Sequence, residues 1–100
     1  MIEAKYKNIH KSVVFGDNVS IKCEKVTIGK YSRIGNNVKI QCKELEIGEH
    51  LFMADGVEIG RGGCTGPRSN VRIGNGVGIF ENTIINPSEA VEIGDNCGIG

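Results

Sequence analysis

The sequence contains no tryptophan, and aromatic residues make up only 5% of its 100 residues. A globular core built around large aromatic side chains is therefore not expected. No apolar run approaches the roughly 18 residues that a membrane-spanning helix needs, so we expect no membrane association. The four cysteines include no Cys-x-x-Cys pair, which argues against a zinc site, and we predict no metal.

Two functional classes are also poorly supported. The basic residues lack interleaved aromatics and the isoelectric point is about 6.7, so nucleic acid is not expected as a partner. The N-terminal residues are polar and charged, without the apolar core of a signal peptide, and we take a cytoplasmic location as the default.

What the sequence has in abundance is a repeated isoleucine-glycine pair, and a fixed short period indicates stacked structural units. The apolar anchors align in three columns when the sequence is wrapped every 19 or 20 residues. The first column is Ile2, Ile21, Ile40, Ile59, Ile79 and Ile99. The second is Ile9, Ile28, Ile47, Gly66 and Ile85. The third is Phe15, Ile34, Met53, Ile73 and Ile93.

Three anchors per turn predict a triangular coil with three short strands, each sending alternate side chains inward. Gly66 is the exception among the anchors, and it predicts a bulge or an irregular loop within residues 61–68. The chain is expected to form one domain, residues 1–100, of about five coils, or roughly 24 Å at ~4.8 Å per coil.

The ends of this domain carry two further expectations. Lys7 stands in an inward row, which suggests that the first coil is frayed at its start. No capping segment follows Gly100, so we interpret the sequence as a probable fragment of a longer protein, although another chain covering the edge is an alternative.

The corners have their own pattern. The triplets that follow the third column all end in Asn or Gly, which predicts a tight corner with one left-handed residue. These residues are Asn18, Asn37, Gly56, Gly76 and Asn96. His50 stands one coil above Tyr31, so a structural corner histidine is favoured over a catalytic one. His10 and His50 lie about two coils, or roughly 10 Å, apart, which is too far for one metal ion.

The cysteines fall into two groups. Cys64 and Cys97 occupy inward rows and are expected to be small buried side chains. Cys23 and Cys42 are placed at one corner of adjacent coils, about 5 Å apart and within disulfide range. Two reduced thiols are favoured over a disulfide in a cytosolic protein.

The segment Ile-Gly-Asp-Asn-Cys-Gly, residues 93–98, followed by Ile99-Gly100, resembles the hexapeptide repeat of the left-handed β-helix acyltransferases. The resemblance covers residues 2–100 and implies an all-β fold, a left-handed parallel β-helix in the shape of a triangular prism. The order of residues 70–74, 80–85 and 91–96 is similar to that in the sugar acetyltransferases of the maltose and galactoside type.

This resemblance implies part of an acetyl-CoA-dependent O-acetyltransferase that acts on a sugar or similar small acceptor. It implies a homotrimer with active sites in clefts between prisms. Asn82 matches a family asparagine that helps arrange the active site. The family's catalytic histidine comes in the following coil, beyond Gly100, so we expect the 100-residue chain alone to be inactive. Pro87, Ser88 and Glu89 replace family aspartates, which leaves the acceptor open.

Other functions remain to be weighed against this one. Asn82 could be a plain corner residue like Asn37, and the chain could be a non-catalytic β-helix module for assembly or scaffolding. The γ-class carbonic anhydrases need three histidines around zinc, and this chain has two. An ice-binding β-helix needs an outward row of threonines, which the sequence does not provide.

Overall fold

The computed structural model describes residues 2–60, 70–85 and 90–99, which form fifteen short strands, β1 to β15. The first sheet contains β1 (Ile2–Glu3), β4 (Ser20–Lys22), β7 (Lys39–Gln41), β10 (Glu58–Ile59) and β13 (Ile84–Ile85). The second contains β2 (Tyr6–Ile9), β5 (Lys25–Ile28), β8 (Glu44–Ile47), β11 (Asn70–Ile73) and β14 (Ala90–Ile93). The third contains β3 (Val14–Phe15), β6 (Arg33–Ile34), β9 (Phe52–Met53), β12 (Gly78–Ile79) and β15 (Gly98–Ile99).

Successive strands along the chain belong to different sheets, and every strand pairing is parallel. The fold is therefore the parallel β-helix that the repeat predicts, with three sheets as the sides of a prism. Within the described residues no helix is long and apolar enough to cross a bilayer.

The core is a set of vertical files of aliphatic side chains. Ile21, Ile40 and Ile59 are register partners in the first sheet, and none of them is more than 2% exposed. Burial of one such side chain stabilises the fold by about 1.5–3 kcal/mol. The sequence-based prediction that these three residues lie directly over one another is confirmed.

The predicted columns are wrong beyond residue 60. Ile47 pairs with Ile73, Met53 with Ile79, and Ile59 with Ile85, so one coil steps by 26 residues. The step then returns to 20 residues. Every anchor from Ile73 onward therefore lies one sheet away from its predicted column.

The physical reason is that parallel pairing fixes which residues of two strands lie opposite each other. It does not fix the number of residues that connect the strands. Seven extra residues (26 − 19) separate β10 from β11, and they leave the strand pairing intact. Gly66 and Cys64 lie outside the described residues, so the expectations for them stay predictions. The missed signal is Asn70-Val71-Arg72-Ile73, which repeats the alternation of β5 and β8.

The corners are built around left-handed residues, as predicted, but they form two stacks where the sequence suggested one. After the third sheet the stack is Asn18, Asn37, Gly56 and Asn82. After the second sheet it is Tyr31, His50, Gly76 and Asn96. Side-chain oxygens of neighbouring corner residues accept backbone N–H groups from the coil before, as Asp55 Oδ1 does from Asn36 at 2.8 Å. These bonds satisfy backbone N–H groups at the corners, where the strands end.

Gly56 shows why the corner restricts residue type. Its φ of 74° lies in the left-handed region, and the Asn82 carboxamide oxygen occupies the space that a Cβ would need. We expect Gly56→Ala to lower the free energy of unfolding by about 1–3 kcal/mol, since strain and a steric clash add together. Chemical denaturation of the purified chain measures this change.

Gly78→Ala is the matched control, because a Cβ at that position meets no atom within 4 Å. The same replacement there should be neutral or stabilise by about 0.4–1 kcal/mol through the unfolded chain. Equal losses at the two positions would contradict the corner geometry.

Candidate functional site

Asn82 lies at the corner after β12, with a φ of 60°. Its backbone N–H donates to the Asp55 carbonyl at 3.0 Å, as the Asn37 N–H donates to Asp17 at 2.8 Å. The Thr83 hydroxyl donates to the Phe80 carbonyl at 2.8 Å and closes the same turn. The backbone of Asn82 therefore performs the structural work that Asn37 performs two coils earlier.

The Asn82 side chain is exposed and packs against Gly56 of the coil before. No described residue forms a hydrogen bond with its amide group, whereas Asn18 Nδ2 donates to Asn37 Oδ1 at 3.3 Å in the same stack. The amide therefore remains available to an external group, which is what a supporting catalytic role requires.

A groove runs along the third sheet beside this corner. Val14, Arg33 and Phe52 line its floor, and the carboxylates of Asp55 and Glu81 border it. The groove thus combines apolar side chains with charges of both signs, and Glu81, the residue before Asn82, is among its lining residues.

Exposed apolar side chains concentrate on this side of the prism. Val14, Phe52 and Phe80 are 53%, 48% and 55% exposed. The Phe80 ring lies over Gly98 of the next coil, at 3.6 Å from the position that a Cβ there would occupy. Arg33 stands between Val14 and Phe52 in the register of this sheet, so the exposed apolar side chains are interrupted by a charged one. Exposed aromatic side chains together with an arginine are typical of a protein interface.

The outward arginines of the second and third sheets have different neighbours. Arg33 and Phe52 are register partners, but Arg72 lies on the second sheet opposite Glu46. The Arg72 Nε donates to Glu46 Oε2 at 2.8 Å, and both side chains are more than half exposed. An ion pair this exposed adds at most about 1 kcal/mol to stability.

His50 lies at the corner position that the sequence predicted. His50 has a φ of 58°, and its ring lies 5.3 Å from that of Tyr31. His10 Nδ1 is 2.7 Å from the Ser12 hydroxyl. Within the described ranges no three His, Cys, Asp or Glu side chains form a group that could hold a metal ion.

Cys23 and Cys42 meet at the corner between the first and second sheets, as predicted, with their sulfurs 3.2 Å apart. Both are buried free thiols. The hydrogen bond from Cys42 lowers the pKa of Cys23 against the opposing effect of burial, and the same bond raises the pKa of Cys42. Cys97 was expected to be buried but is exposed, because it lies in the last described coil with no further described strand over it.

Comparison of the chain with family models, with curated proteins and with solved structures gives no match.

Two substitutions of Asn82 test the role of its backbone conformation and the role of its side-chain amide separately. We expect Asn82→Gly, which keeps the left-handed backbone, to change the free energy of unfolding by at most about 0.5 kcal/mol. Asn82→Ala should cost about 1–2 kcal/mol, since alanine resists positive φ. Thermal and urea unfolding of both variants measure the difference.

Asn37→Gly and Asn37→Ala are the controls in the same stack, where φ is 58°. They should lose stability in the same order. If Asn82→Gly were the more destabilising of the two Asn82 variants, the amide itself would be holding the coils together, and its proposed availability to an external group would be wrong.

Proposed function

We propose that this chain is part of an acetyl-CoA-dependent O-acetyltransferase acting on a sugar or a similar small acceptor. The proposal rests on the hexapeptide-type repeat, and the observation that carries it is the exposed amide of Asn82, which follows Glu81 at the groove of the third sheet. It includes a left-handed sense for the helix, a homotrimer and a cytoplasmic location.

The chemistry explains why such a corner suits acetyl transfer. The acceptor hydroxyl attacks the thioester carbonyl, a general base removes the hydroxyl proton, and the CoA thiolate leaves from the tetrahedral intermediate. Hydrogen-bond donors must stabilise the oxyanion as it forms. The Asn82 amide supplies either one such donor or the contact that orients the base, which the resemblance implies is a histidine in a coil after Gly100.

A flat-sided prism needs a neighbour to form a deep pocket. The third sheet presents the exposed side chains of Val14 and Phe52, with Phe80 at its end, that a second prism would bury, and this would place Asn82 at the rim of the resulting cleft. Clefts between subunits are common places for small-molecule sites. The proposed binding site therefore depends on the proposed trimer.

Phe52→Glu tests this arrangement in the chain as it stands. We expect the wild-type chain to elute as a trimer and to bind acetyl-CoA, and the variant to become monomeric, because a carboxylate is costly to bury in an apolar contact. Acetyl-CoA affinity should fall at least about tenfold when the cleft is lost. Light scattering and isothermal titration calorimetry measure the two effects.

Ile84→Glu is the matched control, since Ile84 is 46% exposed on the first sheet against 48% for Phe52 on the third. It should leave both the mass and the affinity unchanged. A monomeric wild-type chain without saturable acetyl-CoA binding would overturn the proposal.

A non-catalytic assembly or scaffold module is the second candidate. The observation that favours it is the structural role of the Asn82 backbone, which matches that of Asn37 in the same stack. A trimer that forms normally but does not bind acetyl-CoA would support this second candidate.

A further inference from the structure

Cys23 and Cys42 are brought together by the strand register itself. Lys22 and Gln41 are the last register partners of β4 and β7, and the next residue on each strand is a cysteine. The two sulfurs are 3.2 Å apart, and the thiols are 9% and 4% exposed. Both cysteines lie one residue past the end of a strand, and their backbone N–H groups still donate to the coil before, from Cys23 to the Glu3 carbonyl at 3.0 Å and from Cys42 to the Lys22 carbonyl at 3.2 Å.

The contact gives the two thiols different chemical roles. The two sulfurs share a hydrogen bond, and this contact lowers the pKa of Cys23 and raises that of Cys42. Because the thiolate is the reactive form, Cys23 is the better nucleophile and Cys42 the better resolving thiol. A surface groove bordered by Glu3, Lys5 and Glu24 reaches both residues from solvent.

We propose that Cys23 and Cys42 form a thiol oxidation site, at which a low-molecular-weight disulfide links two neighbouring coils covalently. The Cys23 thiolate attacks one sulfur of the small disulfide, forming a mixed disulfide and releasing one small thiolate. Cys42 then loses its proton and attacks the Cys23 sulfur, releasing the second small thiol. Two protein thiols are oxidised to one disulfide while one small disulfide is reduced to two thiols.

The site is distinct from the other described thiol. Cys97 is exposed, and its S–H points toward the Asp95 carbonyl at 3.6 Å. It has no second thiol beside it among the described residues, so it should stop at the mixed disulfide. The double substitution Cys64→Ser and Cys97→Ser therefore isolates the pair for measurement.

The experiment incubates this double variant, folded, with oxidised glutathione until the product no longer changes. We expect intact mass spectrometry to show the loss of two hydrogens without any added glutathione. Trypsin under non-reducing conditions should release the peptide Cys23-Glu24-Lys25 joined to Ile40-Gln41-Cys42-Lys43, since lysines flank both segments. A reducing agent should separate them.

Single variants distinguish a true pair from two independent thiols. Adding Cys42→Ser should trap one glutathione on Cys23, and adding Cys23→Ser should trap one glutathione on Cys42, because neither variant retains the second thiol that resolves the mixed disulfide. Circular dichroism confirms that each variant is folded, and alanine replaces serine where it is not.

Linking the residues closes a loop of one coil, with partners 19 positions apart. A loop of this length should raise the folding equilibrium constant on the order of a hundredfold, which appears as a higher urea midpoint that reduction reverses. Retention of both free thiols at the most oxidising glutathione ratio would overturn the proposal. So would stable addition of glutathione to both residues, or a crosslinked form less stable than the reduced one.

Discussion

The in-register stacking of branched aliphatic side chains along one axis is the constraint on which the other features depend. Ile40 lies between Ile21 and Ile59, because parallel backbone pairing places each residue against its counterpart in the next coil. An interior so narrow has room for aliphatic side chains but not for tryptophan. Each coil contacts only its neighbours, so stability accumulates coil by coil.

The same constraint explains the corners. A chain that must leave one sheet and enter the next within a few residues needs a left-handed residue, and Asn37 and His50 both supply it with φ near 58°. Once those positions repeat every coil, their side chains also stack. The Tyr31–His50 ring contact and the Asn18–Asn37 hydrogen bond follow from backbone register alone.

Periodicity in the sequence predicted the sheets, the left-handed corners and the Cys23–Cys42 contact, since each depends on the local repeat. It failed where the repeat was interrupted. A constant period of 19 or 20 residues aligned Gly66 with Ile47, whereas in the structure Ile73 pairs with Ile47. Counting strands of the x-apolar-x-Ile type would have found the true register. The availability of the Asn82 amide was beyond prediction, since it depends on which atoms the corner backbone leaves unpaired.

The candidate site shows how one position of a repeat can differ from its equivalents in neighbouring coils. Asn37 and Asn82 have the same backbone conformation, but Phe80 precedes Asn82 where Gly35 precedes Asn37 in the equivalent turn. A large ring in place of a glycine changes the surface beside one corner without disturbing the interior. Departures from the repeat, rather than the repeat itself, are therefore the places where chemistry is to be sought.

The enlarged connection between β10 and β11 has a consequence for engineering. Seven additional residues enter there while β11 still pairs with β8 over four positions. The entropic cost of closing a connection rises only slowly with the number of its residues. This junction is therefore a suitable place to insert a foreign peptide into the prism. The paired strands on either side would hold the inserted peptide at a defined position along the axis of the prism.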